Sequence, residues 1–238
     1  MGVGIVMTML ITTAGFAESI PDAVKKRIAE LEPTLGPAEV RPSPMTGLYE
    51  VILGPQVVYL SADGRYLIQG ELMDIRTKRN LTRESRSVAR KGIAKGFDER
   101  YLVIYEPKTN VRHTVTVFTD VDCPYCSRFH REVPQLLESG VRVRYAAFPR
   151  GGIPSANYDR MVAVWCAEDP LVAMTEAKEG RRVPPARCDN RVREHLNTAR
   201  AMGVRGTPTM LFSDGELVPG YVPWRRLVRM LDDNNADG

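Results

Sequence analysis

Apolar and polar positions fall into three regimes along this chain. Ile20, Val24, Ile28, Leu31 and Leu35 recur at helical spacing and form one stripe, which predicts an amphipathic helix. Ser19 reads as its N-cap, Pro21-Asp22 as its first turn, and Pro33 and Gly36-Pro37 as its end. Short apolar runs follow at 48–53, 57–61 and 66–69, with turn signals at Gly54-Pro55 and Asp63-Gly64, and a run at 71–75 extends them. This is a β meander. Between 78 and 100 the pattern turns basic: Arg79, Arg83, Arg86, Arg90, Lys91 and Lys95 surround only Leu81, Val88, Ile93 and Phe97. That predicts an exposed helical linker, weakened by about 1 kcal/mol at each of Gly92 and Gly96.

From 101 onward, strands predicted at 102–105, 114–119, 141–148, 210–212 and 216–218 alternate with helices at 124–139, 158–167, 171–179, 190–202 and 223–231. Pro134 predicts a kink in the first of these helices, Gly203 stops the fourth, and Asp214-Gly215 turns a hairpin. Strand, helix, strand over 114–148 implies a parallel pair with a right-handed crossover. The fold class is therefore α+β. A small helix-plus-meander domain spans 18–78, a helical linker 79–100, and an α/β domain with a helical insertion 101–238. The first unit is too small to bury a full core and leaves a sheet edge open, so dimerisation has a physical motive there.

Composition narrows this picture. A length of 238 residues suits two domains, and 43% hydrophobic with 26% charged residues is ordinary for a globular protein. The net charge of +4 is modest. The arginines between 181 and 205 have no interleaved aromatics and read as a solvated face, not a nucleic-acid site. Residues 1–17 carry no charged side chain, are mostly apolar over 5–11, and end in Gly15-Phe16-Ala17, a small-x-small pattern. This predicts the apolar part of a secretory signal, too short to span a bilayer, with the basic start of that signal lying before the written sequence.

The chemistry concentrates at 115–130. The apolar run Val115-Thr116-Val117-Phe118 breaks at Asp120-Val121-Asp122 and is followed by Cys123-Pro124-Tyr125-Cys126. Strand, break, CxxC, helix is a thioredoxin-like redox arrangement. Only a thiolate attacks a disulfide, and a helix N-terminus favours negative charge. Cys123 is expected as the exposed nucleophile at the helix mouth, and Cys126, one turn in, as the resolving thiol. A zinc knuckle with His130 as third ligand is the rival, but structural zinc sites need four ligands at spacings this chain lacks. No metal or cofactor is expected, and His130 reads as a packing or surface residue. Four cysteines allow three pairings. Proximity pairs Cys123 with Cys126, which leaves Cys166 with Cys188 as a structural bridge. Gly206-Thr207-Pro208 stands directly before the last hairpin. A proline there lacks an N–H near the sulfurs, and the Thr207 backbone is placed to pair with an extended substrate segment.

Together these residues resemble the DsbC/DsbG family of bacterial periplasmic thiol:disulfide interchange proteins. The resemblance covers nearly the whole chain after the leader. It runs through Ile68-Gln69-Gly70, Val117-Phe118-Thr119-Asp120, Cys126 with His130, Val143-Arg144-Tyr145 and Ala147-Phe148-Pro149-Arg150. It continues through Trp165-Cys166-Ala167, Gly206-Thr207-Pro208 and Leu217-Val218-Pro219-Gly220-Tyr221. The resemblance implies a V-shaped homodimer joined by the N-terminal domains, with linker helices as hinges and the two CxxC sites facing a cleft. It implies disulfide isomerase activity on misfolded clients, associated chaperone activity, a membrane reductase of the DsbD type as partner, and a cis bond before Pro208. It also implies a structural disulfide at Cys166 and Cys188. Pro124-Tyr125 departs from the Gly-Tyr of the best-known members and matches the DsbG branch, linked to protecting single thiols. The second cysteine pair, which that branch lacks, aligns this chain with the DsbC branch. An oxidase of the DsbA type and a holdase chaperone that needs no thiol are the alternatives.

Overall fold

The computed structural model describes residues 19–35 and 37–236, so the leader expected at 1–17 lies outside the described residues. Helix α1 (Asp22–Leu35) lies over a four-stranded antiparallel sheet of β1 (Glu39–Pro42), β2 (Leu48–Leu53), β3 (Gln56–Ser61) and β4 (Leu67–Ile68), in that spatial order. Ser19 stands three residues ahead of the first helical residue and is not its cap, and the helix runs past Pro33 to Leu35. Strand β1 was not expected. It is short, mostly exposed and ends in proline, so it carries no apolar alternation.

The period of two along β2 explains the layers. Tyr49, Val51 and Leu53 face α1 and pack with Val24 and Ile28, whereas Ile52, with Val57 and Tyr59 of β3, faces the other side. Gly64 turns β3 into β4 at φ +67°. A Cβ there would sit 2.8 Å from the Ala23 carbonyl of α1, so the helix can close onto the turn only over glycine.

The run at 71–75 does not extend the meander. Met73–Asp74 (β5) pairs instead with Arg79–Asn80 (β6) as a separate ribbon. The reason is a stronger local partner: the Thr82 hydroxyl accepts from Leu72 N–H at 2.7 Å, and Leu81 N–H donates to the Leu72 carbonyl at 2.9 Å. Helix α2 (Leu81–Ala94) begins there, with Asn80 Oδ1 accepting from Arg83 N–H at 2.9 Å as its cap. Its Thr82 and Ser85 meet the sheet's far face, where Glu50 is buried and accepts from the Ser85 hydroxyl at 2.8 Å. At its other end Arg90 donates to the Met202 carbonyl at 3.0 Å, and Arg83 pairs with Glu216. Gly215 passes so close to Ser87 that any side chain would overlap its carbonyl.

The remaining residues build a five-stranded sheet in the order β11-β10-β8-β9-β7. In chain order these are β7 (Val103–Tyr105), β8 (His113–Thr119), β9 (Val141–Ala147), β10 (Thr209–Leu211) and β11 (Leu217–Pro219). Only β8 and β9 run parallel, His113 facing Val141 through Thr119 facing Ala147. Helices α3 (Pro124–His130), α4 (Val133–Glu138), α5 (Ala156–Trp165), α6 (Pro170–Lys178), α7 (Val192–Ala201) and α8 (Trp224–Ala236) cover the sheet. Val115 and Val117 face one cluster with Phe129, Leu136 and Met161, and Phe118 faces the other with Leu196 and Met202. Burial on both faces is why β8 reads as a continuous apolar run. Pro134 does more than kink the helix expected at 124–139. It divides it into α3 and α4, because the ring cannot donate to the preceding turn and clashes with it. Among the described residues no helix is long and apolar enough to cross a membrane.

Candidate active site

Cys123 ends the loop after β8 and is the N-cap of α3, in extended backbone (φ −87°, ψ 117°), with Pro124 as the first helical residue. Local sequence dictates this. Proline suits the first turn, where its absent N–H would be unpaired, and it keeps the residue before it out of the helical region. Ser127 N–H closes the first turn onto the Cys123 carbonyl at 3.0 Å, and Cys123 N–H donates to the Asp120 carbonyl at 3.2 Å. Cys126 follows one turn inward, and both cysteines are free thiols.

The nucleophile expected to be exposed is covered. Cys123 and Cys126 are each 1% exposed, while Tyr125 between them is 61% exposed. The cover comes from a segment 84 residues away: Cys123 Sγ donates to the Thr207 carbonyl at 3.3 Å, and the Thr207–Pro208 bond is cis. The structure thus brings Cys123, Pro124, Cys126, Thr207 and Pro208 together, with Tyr125 on the rim. Cys166, at the end of α5, is bonded to Cys188 in the segment before α7, as a separate bridge.

The two thiols are driven apart electrostatically. The hydrogen bond from the Cys126 side chain is the largest influence that pulls Cys123 down, to about 5, against the cost of burial. The Thr207 hydroxyl, the Cys126 backbone N–H and the Arg150 guanidinium act in the same direction. Burial, reinforced by Cys123, pushes the Cys126 thiol up. The Thr207 hydroxyl oxygen is buried and has no hydrogen-bond partner among the described residues. As a thiol, Cys123 donates to the Thr207 carbonyl. As a thiolate it can only accept, and the Thr207 hydroxyl is then the donor beside it.

Asp120 and Arg150 support this loop and were not singled out from the sequence as site residues. Asp120 is buried. Its Oδ2 accepts from Arg150 N–H at 2.8 Å and Nε at 3.1 Å, and its Oδ1 from Asp122 N–H at 2.8 Å and Asn157 Nδ2 at 2.9 Å. A signal for Arg150 was present. It follows β9, parallel strands deliver their C-terminal ends to one edge, and residues just beyond two such strands adjoin. His130 is buried and faces inward. Its Nδ1 pairs with the Tyr145 hydroxyl at 3.0 Å and its Nε2 with the Thr175 hydroxyl at 3.1 Å. Burial pushes it down to about 4, so it is a neutral packing residue with both nitrogens occupied.

Comparison with known proteins places this geometry. Residues 104–235 match the thioredoxin-like domain family, and residues 15–83 match the disulfide bond isomerase protein N-terminal domain. The chain is 32% identical over 229 residues to the thiol:disulfide interchange protein DsbC of Escherichia coli (strain K12), covering 95% of this chain and 94% of that protein. It is 31% identical to the DsbC protein of Haemophilus influenzae, over 94% of this chain and 96% of the relative. A crystal structure of a disulfide interchange protein from Neisseria gonorrhoeae aligns with TM-score 0.52 and 28% identity, over 58% of this chain and 98% of that one. The dithiol at the start of α3 and near-full-length similarity to these proteins lead to one conclusion: the chain belongs to the DsbC family of thiol:disulfide interchange enzymes.

Proposed function

We propose that the Cys123–Cys126 dithiol rearranges non-native disulfides in client proteins. The observation that carries this reading is the opposed ionisation of the two sulfurs at one helix start. Cys123 is a thiolate near neutral pH while Cys126 stays protonated behind it. The Cys123 thiolate attacks a client disulfide, one client sulfur leaves as a thiolate, and a mixed disulfide remains. A client thiolate then displaces Cys123 and a new pairing is left in the client. Where the client stalls, Cys126 attacks Cys123, the client leaves reduced, and the enzyme leaves oxidised. A reductant must restore the dithiol, and a membrane reductase of the DsbD type fits that need. The Thr207 backbone beside the sulfur is placed to hold an extended client segment.

The working enzyme is a periplasmic homodimer, with residues 18–78 joining two copies, 79–100 linking and 101–238 catalytic. Strand β4 supports this, because it lies at a sheet edge and, with Tyr66 just before it, presents Leu67 and Ile68, all about half exposed or more. Two dithiols around one cleft also suit the holding of unfolded clients. The test is reactivation of a scrambled multi-disulfide client by the full chain, by Cys123→Ala, and by a chain starting near Arg100. The full chain is expected to be a dimer by light scattering and to reactivate the client. Cys123→Ala should lose reshuffling and keep chaperone activity, and the shortened chain should be a monomer that reduces simple disulfides with little isomerase activity. Reactivation by Cys123→Ala, or brief iodoacetamide labelling at Cys126 before Cys123, would overturn the mechanism.

A further inference from the structure

Lys178, the last residue of α6, is buried beneath the active-site loop. Its Nζ donates to the Thr119 hydroxyl at 2.7 Å and to the Asp120 carbonyl at 2.6 Å. Neither acceptor is ionised. The two nearby carboxylates are committed elsewhere, Asp120 to Arg150 and Asn157, and Asp122 to Arg160 and Asn157. A buried ammonium with no carboxylate in its hydrogen-bond shell is costly, and burial accordingly pulls Lys178 down from the usual lysine range.

The surroundings show what offsets that cost. The Asp120 carbonyl that accepts from Lys178 also accepts from Cys123 N–H at 3.2 Å, so the lysine holds the carbonyl that fixes the CxxC loop. The Thr119 hydroxyl accepts from Lys178, which leaves its own hydrogen to donate, and the Cys126 sulfur is the group it favours in the ionised form. The ammonium favours the ionised Cys126 sulfur by its own charge, and the Thr119 hydroxyl adds to that influence. Beside the lysine, the Asp120 backbone N–H also favours the ionised Cys126 sulfur, and among the described titratable groups nearby Lys178 is the cation not paired with a carboxylate. His130 is neutral, Tyr145 is held protonated by burial, Arg150 is paired with Asp120, and Cys123 is uncharged once it is bonded to a client.

We propose that Lys178 is the positioning residue for Cys126: by its own charge and through the Thr119 hydroxyl, its ammonium stabilises the thiolate that Cys126 must become to resolve a mixed disulfide. The idea rests on the exchange reading above and deepens it. In the resolving step Cys126 gives its proton to solvent and its electron pair attacks the Cys123 sulfur. The bond from Cys123 to the client sulfur breaks, and the client leaves as a thiolate that takes a proton from solvent. The dithiol is oxidised by two electrons and the client disulfide reduced by two, while Lys178 keeps its proton throughout. Lys178 thereby decides how long a mixed disulfide survives, and so how a client divides between reshuffling and reductive release.

The test loads Cys123 of the full-length protein with 2-nitro-5-thiobenzoate as a mixed disulfide and follows release of the coloured thiol across pH. Wild-type release establishes the exchange reading by itself, and its absence would sink that reading separately. In Lys178→Met, release near pH 7 is expected to slow at least tenfold and its pH profile to move to higher pH, with Cys123 alkylation changed less than threefold. Lys178→Arg, which keeps the charge, should recover much of the rate. Thr119→Val keeps the lysine and removes the hydroxyl, and is expected to slow release and move its profile in the same direction by a smaller amount. It decides the matter if Lys178→Met does not fold. A release profile in the variants that superimposes on wild type overturns the proposal, as does equal slowing at every pH.

Discussion

Thr207→Val separates reactivity from stability at this site. The substitution keeps the β-branched shape and the carbonyl that meets Cys123, and removes only a buried hydroxyl that has no other partner among the described residues. A hydrogen bond to a charged group is worth about 1.5–3 kcal/mol, and one pKa unit corresponds to about 1.4 kcal/mol. Loss of the Thr207 donor should therefore raise Cys123 from about 5 by roughly one to two units. The sign for stability follows. Cys123 titrates lower in the folded protein than in the unfolded chain, so its ionisation stabilises the reduced form. That contribution is complete above the unfolded value of about 8.5 and is lost as pH falls through about 5. Thr207→Val should match or exceed wild-type stability near pH 4, where the sulfur is protonated and an unpaired hydroxyl has been removed. It should fall below wild type at neutral pH. Alkylation rates of the reduced protein across pH read the first effect, and urea unfolding near pH 4 and near pH 7.5 reads the second. An unmoved alkylation midpoint would refute the role given to the hydroxyl. A variant equally destabilised at both pH values would show that Thr207 matters only for packing.

Two further outcomes follow from the same geometry. Replacing Cys166 and Cys188 together by alanine opens a loop with a separation of 22 residues and should cost about 3 kcal/mol in urea unfolding, with Cys123 alkylation unchanged; an unaltered midpoint would refute the bridge's structural role. His130 and His195 are both held by burial at about 4, below the unfolded value of about 6.5, so the unfolded chain binds more protons between these limits. Stability should then fall as pH drops from about 6.5 to about 4, and a flat urea midpoint over that window would contradict the buried neutral state of both rings.

Much of the fold was legible locally. The short apolar run at 48–53 before the Gly54-Pro55 turn signal placed β2, the β-branched run before the CxxC placed β8, and Pro124 placed the start of α3, because each depends on local composition, turn residues or one proline ring. The pairing of Cys166 with Cys188 came from elimination among four cysteines. What local pattern could not reach was which elements meet. The run at 71–75 had the composition of a fourth hairpin strand, yet it joined the start of α2, since Thr82 and Leu81 supplied its hydrogen bonds.

The active site divides in the same way. The sequence by itself determined the dithiol, its place at a helix start, and a Thr-Pro before a late hairpin. Only the tertiary structure decided that Thr207, 84 residues on, closes over Cys123, and that the sulfur is therefore covered. It also decided the role of Lys178. In sequence that lysine sits among Glu176, Glu179, Arg181 and Arg182 and looks like part of a solvated charge run. Packing of α6 beneath the active-site loop turns it inward, to Thr119 and Asp120 about 58 residues earlier. Charge identity is written in the chain, but the dielectric around a charge and the partner it meets come from non-local burial, and those set its chemistry.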